Sequence, residues 1–144
     1  MASYTSSTSP SSLLVVSERK TQRYLCFDSE NNLCGWTNIA TGEMRPTNLQ
    51  SSISNFQKLA FSGMQILSLE ALTLLQQYPA AKFSLIDFYL SLCEKQMSND
   101  HTASADRKKC QMTNLQAYIP DAYKMMDVGK IDQIAEAEAF AESL

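Results

Sequence analysis

The stretch that decides the fold runs from Asn48 to Met97, NLQSSISNFQKLAFSGMQILSLEALTLLQQYPAAKFSLIDFYLSLCEKQM. Before Glu94 its only charged side chains are Lys58, Glu70, Lys82 and Asp87, and Leu, Ile, Phe, Tyr, Met and Ala fill much of the rest at helical spacing. Asn48 or Ser51 offers a helix cap, followed by Ile53, Phe56, Leu59 and Ala60 on one stripe. Ser62-Gly63 reads as a break. A second helix is expected over Met64–Gln77, with Met64, Leu67, Ala71, Leu74 and Leu75 on one side, Ile66 and Leu69 on the other, and Pro79 ending it. Ser84-Leu85-Ile86-Asp87 matches a capping box, in which hydroxyl and carboxylate satisfy orphan amide donors, so a third helix is expected over 84–97.

Upstream the period changes from 3.6 to two. Leu13–Val16, Arg23–Phe27 and Leu33–Ile39 read as strands, with Ser29-Glu30-Asn31-Asn32 as the turn between the last two, since Asn tolerates left-handed backbone. Placing Asp28 opposite Leu33 sets Leu25 against Trp36 and Phe27 against Cys34. That register puts Cys26 and Cys34 on opposite faces and predicts no disulfide between them. Downstream, helices are expected over 105–119, from Pro120 to about Val128, and over Lys130–Ser143. The last of these carries a thin apolar stripe of Ile134, Ala137, Ala141 and Leu144.

The expected fold class is therefore α+β: a small N-terminal antiparallel β-hairpin or three-stranded sheet packed on a bundle of four to five helices. Residues 1–12 form a mobile Ser/Thr-rich tail, and 13–144 form one domain, with a β region over 13–46 and a helical region over 48–144. Composition agrees with a globular chain, 44% hydrophobic and 19% charged. The net charge of −3 argues against bulk electrostatic binding to nucleic acid or an anionic membrane. No signal segment or span-length apolar run is visible, so a soluble, cytoplasmic protein with reduced thiols is expected.

The chemistry-bearing residues are sparse. Cys26, Cys34, His101 and Cys110 lack the close ligand pairs of structural zinc sites, and no metal or cofactor is expected. The single histidine, His101, has no Gly-x-Ser-x-Gly elbow to serve, since Phe61-Ser62-Gly63 lacks the first glycine. Cys110 follows Arg107, Lys108 and Lys109, whose charge lowers a thiol pKa, which makes it the candidate reactive thiol. Arg19, Lys20 and Arg23 with Arg107, Lys108 and Lys109 are the candidate phosphate contacts. The Trp36-Thr37-Asn38 and Thr41-Gly42-Glu43 runs with Pro46 are similar to the middle of a WW domain, but the early Trp that such a domain needs is absent. What remains is surface. Ile66 and Leu69, on the second side of their helix, together with Tyr78, are the candidate partner contact.

The expected function is a non-enzymatic protein–protein interaction or assembly module, an adaptor, inhibitor or accessory factor, working through a protein partner or through self-association as a homo-oligomer. The first alternative is a nucleic-acid-associated accessory protein using the basic runs 19–23 and 107–109. The second is a thiol-dependent enzyme or redox sensor centred on Cys110 or Cys26.

Overall fold

The structure is a computed structural model and describes residues 12–98, 115–122, 124–126 and 128–144. Its elements are β1 (Ser12–Ser17), β2 (Arg23–Phe27), β3 (Leu33–Asn38), β4 (Glu43–Arg45), the single turn α1 (Leu49–Ser52), β5 (Gln57–Ile66), α2 (Leu69–Gln76), α3 (Leu85–Ser98), β6 (Leu115–Tyr118), a 3-10 turn (Ile131–Gln133) and α4 (Ile134–Glu142). The strands form one sheet in the order β4-β3-β2-β5-β1-β6. Among the described residues only the β1–β6 pair is parallel.

The expected helical bundle on a three-stranded sheet is thus overturned: the sheet has six strands, and short helices serve it. The decisive error lies in the central stretch. Gln57–Ile66 is a strand, although Leu59 and Ala60 read as part of a helical stripe, and only Leu49–Ser52 of the first expected helix is helical. The second expected helix begins at Leu69, because Met64–Ile66 still belong to β5. Leu59 and Ala60 continue a helical stripe from Ile53 and Phe56, whereas Leu59, Phe61, Met64 and Ile66 alternate as a strand once a bulge separates Phe61 from Met64, and Ser62 and Gly63 between them are poor helix formers. The tie is broken by tertiary pairing. β1 buries Leu14 and Val16, and β5 supplies its partner through Leu14↔Gln65 and Val16↔Phe61. The register slips between those pairs, and Ser62–Met64 bulge opposite Val15 with Gly63 at φ +88°, a conformation that favours glycine.

Downstream, Leu115–Tyr118 of the expected 105–119 helix is strand β6, Ile119 follows it outside any helix, and residues 105–114 lie outside the described residues. Asp121-Ala122 forms a turn with Ala122 at φ +55°, where a helix was expected to start at Pro120. Expected and observed elements agree for β1, β2 and β3, for α3 and for the last helix.

β6 closes the sheet on itself. Its Ala117 amide donates to the Asn31 carbonyl at 2.9 Å, and Gln116 bridges to Asn32 at the β2–β3 turn, so the far edge returns to the start of β3. Inside this curled sheet lie Leu14, Val16, Leu25, Phe27, Leu33, Leu59 and Leu115, plugged by Phe88, Tyr89 and Leu92 of α3. Ser84 begins α3 as expected, its Oγ accepting from the Ile86 amide at 3.2 Å. The acid of the capping box does something else: Asp87 accepts from Arg45 of β4 at 2.8 Å. α2 is fastened at its start by two serines. Ser68 caps the Ala71 amide, and the Ser68 amide donates to the fully buried Ser12 Oγ at 2.9 Å.

A second cluster forms on the outer face, where Leu49 of α1 covers Cys26 and Cys34. This corrects the expected placement of the two thiols. Arg23 to Cys26 pair with Asn38 to Gly35 as read from sequence, but Phe27 then pairs with Leu33, and Cys34 is the extra residue of the bulge. Cys34 therefore turns to the Cys26 side, its Sγ donating to the Cys26 carbonyl at 3.3 Å, and both thiols are free.

Candidate functional site

The site begins where the chain crosses over β5. Ser17, the end of β1, pairs with Ala60 on one side of β5, and Leu25 of β2 pairs with Leu59 on the other. Arg23 opens β2, two residues before its last pair with β5, Leu25↔Leu59. The crossing turn carries Arg19, whose Nη2 donates to the Phe61 carbonyl at 3.4 Å, and Lys20, which is exposed, as is Arg23. Among the described residues none of the three pairs with a carboxylate. Positive charge is thus held at the middle of β5.

Beyond this point β5 leaves its apolar side chains outside. Met64 is 48% exposed and Ile66 63%, alternate residues on one face of the strand past the bulge, with Ile66 paired to Leu13 of β1. The chain then turns at Ser68 into α2, whose Leu69 and Leu72 are 75% and 41% exposed and stand one helical turn apart. Large hydrophobics normally go inside. Here four of them are exposed between Met64 and Leu72. Past Leu59 the described strands pair with β5 on the β1 side only, so its other edge carries backbone groups without a strand partner among the described residues.

Two sets of sequence candidates thus meet. Ile66 and Leu69 lie in the exposed strip; upstream of it Arg19 reaches the Phe61 carbonyl of β5, with Lys20 next to it in the crossing turn and Arg23 opening β2. Tyr78 does not share that exposure. It is half-buried, its ring 4.3 Å from Phe83 and edge-on to Phe88 at 5.7 Å. Arg107, Lys108, Lys109, Cys110 and His101 lie outside the described residues. Met64 and Leu72 were missed, and the signal that finds them is the strand period carried through Ile66 into a helix that starts at Leu69.

Cys26 and Cys34 are poor nucleophiles. Burial pushes Cys26 up to about 11, with Lys58 pulling the other way. Burial, then the neighbouring Cys26 and Asp28, push Cys34 up to about 12. The thiolate is the reactive form, and these environments disfavour it. No group of three or more His, Cys, Asp or Glu side chains among the described residues could hold a metal ion.

A shallow open groove of about 500 Å³ lies between the β2–β3 turn and the start of β5, lined by Asp28, Asn31, Asn55, Phe56 and Gln57 among others. Its one carboxylate already accepts from the Glu30 and Asn32 amides at 2.9 Å each, which makes it a turn-forming group. No helix among the described residues is long and apolar enough to cross a membrane. No protein family, curated protein or solved structure matches the chain.

Proposed function

We propose that this chain is a non-enzymatic interaction or assembly module that engages a protein partner through the strip formed by Met64, Ile66, Leu69 and Leu72. The observation that carries the reading is the exposure of Ile66 and Leu69, the two most exposed members of a run of large apolar side chains at the end of β5 and the start of α2. Contiguous exposed apolar surface of this kind marks interaction sites in soluble proteins. The half-edge of β5 beside it, which has no strand partner among the described residues, adds backbone donors and acceptors that a partner can use.

The test compares the tagged intact chain with an Ile66→Ser/Leu69→Ser variant. Both positions are exposed, so each substitution should change stability by no more than about 0.5 kcal/mol. A stoichiometric protein captured from native cells by the wild type should be lost from the variant. Capture of the same protein by both would refute the strip as the contact, and a variant that fails to fold would show that these side chains are core.

A further inference from the structure

The strip has a complement elsewhere in the same chain. α4 places Ile134, Ala137, Phe140 and Ala141 on one arc, bordered by Glu138 and Glu142 on one side and by Glu136 on the other, at the 100° step of an α-helix. None of its residues is buried. A helix of 9 residues is marginal in water on its own, so its apolar arc gains most from a surface that covers it. The carboxylates of α4 have no cationic partner among the described residues, and the same holds for Lys20 and Arg23.

The two surfaces are opposite in charge and alike in apolar content. The strip is an apolar run with cations upstream of it, and α4 is an apolar arc with anions along its border. Its own chain does not join them, because Ile66 and Leu69 stay exposed while α4 stays unburied. Like charge disfavours pairing α4 with another α4. We propose that α4 of one copy docks on the strip of a second copy, with Glu138 and Glu142 facing Lys20 and Arg23. This rests on the reading of the strip as an interaction surface and names its occupant. Each copy carries both halves of the contact, so a reciprocal dimer or a head-to-tail array follows from the same geometry.

The experiment is sedimentation velocity on the full chain from micromolar to near-millimolar concentration, at low and high salt. The wild type should associate with rising concentration and more weakly at high salt. Lys20→Glu/Arg23→Glu and Glu138→Lys/Glu142→Lys should each weaken association about tenfold, from two rim charge pairs lost and repulsion gained. An equal mixture of the two variants should regain it, because the acidic turn of one then meets the basic helix of the other. All substituted positions are exposed, and circular dichroism confirms that each variant is folded.

A wild type that stays monomeric throughout overturns the proposal, and so does association that ignores both reversals or a mixture that fails to recover. The strip reading is judged separately. If Ile66→Ser/Leu69→Ser still loses a captured protein while the wild type is monomeric, the strip stands and α4 is not its occupant.

Discussion

Gly35 sits where the outer face of the sheet meets α1, and alanine there should be costly for a reason that geometry makes explicit. A Cβ on Gly35 would lie 2.7 Å from the Arg45 carbonyl oxygen and 2.7 Å from a methyl of Leu49. The carbonyl belongs to β4, held by the Trp36↔Arg45 pair, and Leu49 is fully buried against Cys26 and Cys34. The carbonyl cannot withdraw without moving β4, and the Leu49 methyl, at the end of a fully buried side chain, can shift only against its packed neighbours. Overpacking of this kind costs about 1–3 kcal/mol, and the gain from replacing glycine inside a strand is only about 0.5–1 kcal/mol. A net loss of roughly 1 kcal/mol is expected, which lowers a urea midpoint by about 0.5 M at the slopes usual for such domains. Urea unfolding followed through the single Trp36, which lies next to Gly35, reads this directly. A Leu49→Ala variant should lose about 2–5 kcal/mol by itself. In that background Gly35→Ala should cost less, since one of its two clashes is gone and the Arg45 carbonyl remains. A neutral or stabilising Gly35→Ala would refute the packing of α1 on the sheet, and with it the bulge that turns Cys34 outward.

Two further outcomes test the interior. The Tyr89 hydroxyl is buried without a hydrogen-bond partner among the described residues, and burial pushes its pKa up to about 12. Tyr89→Phe should therefore raise stability by about 1–3 kcal/mol in thermal or urea unfolding, and a loss would reveal a partner for that hydroxyl. Cys26, Cys34 and Tyr89 all have raised pKa values when folded, from 9.0 to about 11, from 9.0 to about 12 and from 10.0 to about 12. The unfolded chain then releases protons first as pH rises, so the stability held by these three groups should be intact below pH 9.0 and be lost between there and about pH 12. Urea midpoints over that range should decline less steeply in Cys34→Ala than in the wild type.

Much of the N-terminal half is legible because its signals are local. Asn31 takes the left-handed conformation that the turn needs, at φ 64°, and the alternation of Leu25, Phe27 and Trp36 fixes most of the hairpin register. α3 announces itself through Ser84 and the wide apolar arc behind it. What escapes is whatever depends on distant partners. The bulge at Cys34 follows from seating Phe27 and Leu33 together inside the sheet while Gly35 makes room for Leu49, contacts that no single window contains. β5 escapes because its residues fit two periods and β1, far upstream, decides between them. The site shows the same division. Ile66 and Leu69 stand out in sequence as apolar residues off the main stripe, though as two positions on one helix when they are a strand end and a helix start. That Arg19 reaches the same strand as Ile66, at the Phe61 carbonyl, follows only once β1 and β2 flank β5 on opposite sides.

The central claim is that the strip between Met64 and Leu72 meets a protein partner. Site-specific photocrosslinking in native cells tests it most directly, with a benzophenone side chain carried at Leu69 and, as control, at the exposed Gln50 of α1. The account predicts a discrete higher-mass adduct from position 69 that position 50 does not give. Identical adduct patterns from both positions, or none from position 69 with the chain folded, would contradict it.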